Sequence, residues 1–225
     1  MTSPYSRSMQ PYQTKHLEPF KALFKLAILI VALVMSGCSL GPQNTHQATV
    51  AIDETTQVAL PTPDQLGYTL TASQLITASW GETQQQLPVQ LQVTENKVVL
   101  AGFSSWGTRI LSLQYQDDTI ETQILTGLDN TLPAPEQVLF NLMLTLWPIE
   151  SWQRSMSDIG WRIVETANQR TIYDENDVAI IEIHYSSMGN QQKVEGDIMF
   201  EHLTQGYRIN IQTLSSNLTT PATKN

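Results

Sequence analysis

Over much of the chain the apolar positions recur at every second residue. Leu87, Val89, Leu91 and Val93 alternate with Pro88, Gln90, Gln92 and Thr94, giving one strand an apolar and a polar face. Glu95-Asn96 suits a short turn, and Lys97 to Ala101 returns as the partner strand. Leu111, Leu113 and Tyr115 alternate with Ser112, Gln114 and Gln116; Asp117-Asp118 turns, and Thr119 to Leu125 comes back. The pattern resumes over Trp161 to Glu165, Arg170 to Tyr173, Val178 to Tyr185 and Val194 to Phe200. It closes with Tyr207, Ile209 and Ile211. Short strands joined by tight turns predict an antiparallel meander. A broad sheet with one consistently apolar face must curl, because a flat one would leave that face wet.

One segment breaks the two-residue period. Pro135 to Pro148 predicts a helix: Pro135 suits the first turn, Glu136 favours the positive end, and Pro148 stops it. Apolar residues cover most of its circumference, and Gln137, Asn141 and Thr145 form only a narrow polar stripe at i, i+4 spacing. Such a helix should be nearly engulfed. Glu150 to Ile159, with Trp152 and Met156 at i, i+4, predicts a second, more exposed helix. The fold class expected is therefore α+β and mainly β: a curved antiparallel half-barrel whose concave face is covered by the mid-chain apolar helix.

The N-terminal stretch reads as an address. Arg7, Lys15, Lys21 and Lys25 precede the apolar run Leu26 to Met35, and Ser36-Gly37-Cys38 follows. A basic region, a short apolar run and small residues at the exit make a secretory signal. The run is too short for a comfortable membrane span. Met35-Ser36-Gly37-Cys38 resembles the lipobox of bacterial lipoproteins, although Met35 stands where Leu is usual, and Met9 is an alternative start. That resemblance implies lipid attachment at Cys38, removal of residues 1–37 and anchoring through acyl chains; Ser39 after the cysteine implies outer-membrane sorting. Residues 38–66, rich in Gln, Thr, Pro and Ala, are expected to be a flexible tether. The domain is placed at 67–214, and 215–225 is expected to be a disordered tail.

Composition narrows the chemistry. Removing residues 1–37 leaves eight basic against twenty acidic side chains, a net charge of −12. That balance argues against nucleic-acid binding, which needs Lys and Arg to neutralise phosphates. Cys38 is the only cysteine, so no intrachain disulfide or CxxC pair is available. Ser104 and Ser105 in Gly102 to Gly107 invite a hydrolase reading, but Trp106 occupies the closing glycine position of Gly-x-Ser-x-Gly, and a hairpin or bulge accounts for the segment better. His184 and His202 stand in no HxH or HExxH spacing. Glu195 and Asp197 are expected on the solvated face of a strand. No catalytic residue, metal or cofactor is assigned.

The remaining candidates lie on the apolar helix: Leu139, Phe140, Leu142, Met143, Leu146 and Trp147. They serve either as filled core or as lining of a cavity in which an adaptable Met143 and bulky Phe140 and Trp147 admit a lipid chain. The element order is similar to the LolA/LolB group of lipoprotein carriers, half-barrels whose apolar cavity accepts acyl chains. A closer resemblance is to a family of proteobacterial lipoproteins classed as a domain of unknown function, often LolB-like and found near aryl polyene pathways. It is carried by Ser105 to Leu113, Leu132-Pro133 leading to Leu146-Trp147-Pro148, Ile181 to Tyr185 and Gly206 to Ile209, within Thr71 to Leu214. The resemblance implies a non-enzymatic, outer-membrane-anchored periplasmic lipoprotein that binds or transfers an acylated or polyene lipid. The alternative is a structural or assembly partner of envelope proteins or of an aryl polyene pathway.

Overall fold

The computed structural model describes residues 47–52, 56–127 and 134–220. The signal segment, Cys38 and the first part of the expected tether lie outside them. Ten strands build one antiparallel sheet: β3 (Thr69–Trp80), β4 (Thr83–Val93), β5 (Lys97–Phe103), β6 (Arg109–Gln116), β7 (Thr119–Ile124), β8 (Arg162–Glu165), β9 (Gln169–Tyr173), β10 (Ala179–Tyr185), β11 (Ile198–His202) and β12 (Tyr207–Thr219). Their order is β7-β6-β5-β4-β3-β12-β11-β10-β9-β8, so the sheet stays open with β7 and β8 at its edges. It is mainly β, antiparallel and curved, as the two-residue period predicts. At the β6–β7 turn Asp117 and Asp118 have φ of 49° and 57°, the left-handed pair that a two-residue hairpin needs to follow the strand twist.

Four departures from the expected layout have physical causes. Part of the expected tether is folded: β1 (Thr49–Ala51) and β2 (Gln57–Ala59) pair antiparallel, with Val50, Val58 and Leu60 buried among the core residues. The tail is paired as far as Thr219, which lies opposite Thr69 along the longest strand contact of the sheet. Lys193–Glu195 is a short 3-10 turn, and the strand expected from Val194 begins only at Ile198. The Glu195 side chain accepts from the Gln192 backbone N–H, which fixes that turn, and both Glu195 and Asp197 are exposed. Finally, β3 forms a strand that the two-residue period does not predict.

α1 (Pro135–Leu146) lies against the concave face, and α2 (Gln153–Asp158) follows after a 3-10 turn at Ile149–Ser151. α2 is more enclosed than its pattern suggests, because Trp152 and Met156 are both buried and Trp152 meets Phe140 edge-on at 5.7 Å. The C-terminal end of α1 is held by side chains from the sheet. Tyr185 Oη donates to the Thr145 carbonyl at 2.9 Å. The guanidinium of Arg170, itself fully buried, donates to the carbonyls of Leu144 and of Trp147. These satisfy carbonyls that the last turn of any helix leaves without partners.

Candidate functional site

The helix has two unlike sides. One is packed solid: Leu139, Phe140, Met143, Leu146 and Trp147 are all buried in the main hydrophobic cluster. Trp147 Nε1 donates to the Thr62 carbonyl at 2.9 Å, which fixes the ring. The other side, Gln137, Val138, Asn141, Leu142 and Thr145, faces a cavity of about 740 Å³ between helix and sheet. Of the six helix residues singled out by sequence, only Leu142 lines this cavity. The polar stripe, which pattern alone would turn toward water, instead looks inward; Asn141 and Thr145 are buried.

Strand register explains where the cavity sits. The β3–β4, β5–β6, β9–β10 and β11–β12 turns all fall at one end of the sheet. The sheet residues of the lining come from that half: Ile76, Ala78 and Trp80 on β3, Gln85, Gln86, Leu87 and Val89 on β4, and Tyr207, Ile209 and Ile211 on β12. Leu100, Leu111 and Phe200 close its back. In the opposite half the concave positions Leu70, Ala72, Leu91, Val93, Val98, Leu113 and Tyr115 are filled core. The lining residues Gln85, Gln86 and Gln205 are exposed, so the cavity opens at the turn end. At the same end of the sheet lie the exposed apolar side chains of Trp80, Trp106, Leu125, Val178 and Leu203, of which Trp80 lines the cavity and Trp106, on the β5–β6 turn, is 91% exposed.

No Asp, Glu, Lys, Arg or His is among the described residues that line the cavity. Its polar contribution is a short relay. Gln137 Nε2 donates to Asn141 Oδ1 at 3.1 Å, and Asn141 Nδ2 donates to Tyr207 Oη at 3.1 Å. Burial holds the Tyr207 hydroxyl above the ordinary phenol range, against the smaller effect of Asn141, so it remains a proton donor. His202 packs beside Tyr207, its ring tilted by 41° with centroids 5.1 Å apart, and burial lowers its pKa from 6.5 to about 4. Its Nδ1 accepts from the Gln205 backbone N–H, which fits the neutral ring.

The other sequence candidates stay apart from this site. Ser104 Oγ accepts from the Thr108 backbone N–H within a turn where Gly107 has φ of 79°, so it serves a hairpin. His184 lies 3.6 Å from Glu182 on a half-exposed strand surface. Among the described residues, no three His, Cys, Asp or Glu side chains are grouped to hold a metal ion. The Gln137–Asn141–Tyr207 relay was missed because i, i+4 amides on a helix ordinarily signal a solvated face. The available clue was that the stripe is too narrow for a helix half in water.

An open, curved antiparallel sheet with α1 against its concave face and an apolar cavity at one end defines a half-barrel fold. The sequence places this chain more narrowly: residues 71–215 match the model of the family described as "Protein of unknown function (DUF3261)", and the chain belongs to that family. No curated protein matches it. Among solved structures it is similar to a LolA superfamily protein from Nitrosomonas europaea, with 7% identity, a TM-score of 0.41, and coverage of 74% of this chain and 97% of the other. A domain described as that of an outer membrane lipoprotein-sorting protein, from Vibrio parahaemolyticus, gives 6%, 0.37, and 71% and 88%. A DUF1329 family protein from Desulfovibrio piger gives 8%, 0.34, and 72% and 90%.

Proposed function

We propose that this protein is a lipid-anchored envelope lipoprotein that binds, and hands on, a hydrophobic acylated or polyene lipid. One observation carries the proposal: the cavity under α1 is lined by apolar side chains and uncharged polar ones. Its volume of about 740 Å³ falls within the roughly 300–1,000 Å³ typical of small-molecule sites. Burying a lipid tail there releases about 25 cal/mol for each Å² of apolar surface removed from water, so binding needs no catalytic group. The exposed apolar rim, with Trp106 and Trp80, offers a route by which a tail enters without crossing a polar surface. In this scheme the diacylglyceryl group on Cys38 holds the domain at the periplasmic face of the outer membrane. No polybasic patch follows Cys38 to add an electrostatic anchor.

Two measurements test this. Native mass spectrometry with lipid extraction, on the full chain, should find a co-purifying acyl or polyene species that is lost in Ala78→Trp, where an indole fills the cavity. No co-purifying species, together with no uptake of a pyrene-labelled acyl glycerol, would overturn lipid carriage and leave the assembly-partner alternative. For the anchor, Cys38→Ala should abolish lipidation and leave unprocessed precursor. Globomycin-insensitive processing of the wild type would refute attachment at Cys38.

A further inference from the structure

The apolar wall explains why a tail would enter, but it does not explain why three polar side chains stand inside. Gln137, Asn141 and Thr145 could have been aliphatic at no cost to the helix. They run down one helix line into the cavity. Gln137 is half-buried, Asn141 is 8% exposed, and Thr145 is 1% exposed. Thr145 satisfies itself on the Leu142 carbonyl at 2.7 Å. Gln137 and Asn141 do not; they pass a hydrogen-bond chain to Tyr207. Tyr207 Oη is the acceptor at the end of that chain, and its own proton has no acceptor among the described residues. Tyr207 pairs in register with Trp80 at the open end of the sheet, so this donor lies near the mouth, above the apolar depth formed by Val89, Leu100 and Ile211.

We infer that the Gln137–Asn141–Tyr207 relay recognises the carbonyl oxygen of an uncharged ester or amide at the head of an acyl chain, and that an ionised carboxylate at the same level is rejected. The inference rests on the lipid-carrier reading and adds the chemical class of the ligand. A carbonyl oxygen accepts the Tyr207 proton and completes the relay with every polar group paired. A carboxylate at that depth would find one hydroxyl and no cation, and taking an ion out of water without a counter-charge is strongly unfavourable. A plain hydrocarbon would leave the hydroxyl proton unpaired. Groups beyond the carbonyl project through the mouth, where Gln85 and Gln205 meet solvent.

The test uses the full chain, stripped of bound lipid, and tryptophan quenching by brominated chains, since Trp80 lines the mouth. Three probes share one tail: dibromostearoyl glycerol, dibromostearate at mildly alkaline pH, and dibromooctadecane. The wild type should bind the glycerol ester about tenfold or more tightly than the ionised acid. Tyr207→Phe, which keeps the ring, should weaken the ester by about three- to tenfold and leave dibromooctadecane unchanged. Gln137→Lys should raise affinity for the acid and narrow or reverse the preference. Equal affinity for ester and acid in the wild type, or an unchanged ester affinity in Tyr207→Phe, overturns the inference while leaving lipid carriage standing. Failure of all three probes to bind overturns both.

Discussion

Arg170 is the side chain whose removal should cost this fold most per atom. Its guanidinium is fully buried, with Nε 2.7 Å and Nη2 2.5 Å from Glu165 Oε2 and Nη2 2.9 Å from the Trp147 carbonyl; Nη1 donates to the Leu144 carbonyl. Arg170→Met keeps the length and apolar stem but orphans two carbonyls at the end of α1 and removes two of the three polar contacts of Glu165 Oε2. Each hydrogen bond to a charged group contributes about 1.5–3 kcal/mol, and breaking a buried ion pair by removing one partner costs about 3–5 kcal/mol. Methionine recovers part of this by packing, so the expected loss is about 3–4 kcal/mol. With a urea slope on the order of 2 kcal/mol per molar, the midpoint should fall by about 1.5–2 M at unchanged slope. Arg170→Lys should recover little, because one ammonium cannot span a carboxylate and two carbonyls in a fixed fork. A loss below about 1 kcal/mol in Arg170→Met would refute the claim that this arginine fastens the helix.

The same cluster sets part of the pH response. Burial alone would raise the Glu165 carboxyl, but the Lys193 hydrogen bond at 2.7 Å and the Arg170 charge outweigh it, and its pKa falls below 4.5. Lys193 is itself held below the ordinary amine range by burial and by the Arg170 charge, against the opposing pull of Glu165. A depressed carboxyl pKa gives stability that is present above 4.5 and lost as pH falls through the lower folded value. Glu165→Gln should remove that acid limb, as followed by urea midpoints across pH. For His202, the folded value of about 4 lies below the ordinary 6.5, so stability should decline as pH falls between these values. The decline should total up to about 3 kcal/mol, and His202→Gln should flatten it. Leu139→Glu, in the packed side of α1, should unfold the domain, whereas the uncharged Leu142→Gln, facing the cavity, should stay folded and weaken lipid uptake; circular dichroism and the pyrene probe separate the two. Trp106→Ser, at a 91% exposed position, should change stability by no more than about 0.5 kcal/mol and slow lipid uptake from vesicles.

What the sequence revealed, and what it hid, follows from one physical distinction. Periodicity reports a boundary between water and filled core, and wherever that boundary exists the strands were legible: β4, β5, β6, β7 and β10 stand where alternation places them. β3 lacks the signal because its concave positions are Leu70, Ala72, Gln74, Ile76 and Ala78, small and polar residues among apolar ones. The β1–β2 pair escaped notice for a different reason, since it rests on Val50 and Val58 within Gln- and Thr-rich sequence. The helix was legible as an engulfed element, but the choice between core and cavity was not, because six apolar residues on a helix look alike in either setting.

Water and the proposed lipid are the two fillings open to the cavity. A dry void costs about 24 cal/mol per Å³, so about 740 Å³ left empty would cost on the order of 18 kcal/mol. That exceeds the roughly 5–15 kcal/mol that holds a typical domain together. The volume must therefore hold water or a ligand, and the two make opposite demands on its walls. Water needs two to four polar partners per molecule, which Gln137, Asn141 and Tyr207 provide at one level near the mouth. Val89, Leu100, Leu111 and Ile211 provide none deeper in. Ala78 is the one small side chain that β3 gives the lining, and the inner wall offers water little in return. An apolar chain of the kind proposed would match that inner wall better than water does. Such a chain would stabilise the folded state in proportion to the logarithm of its concentration over its dissociation constant.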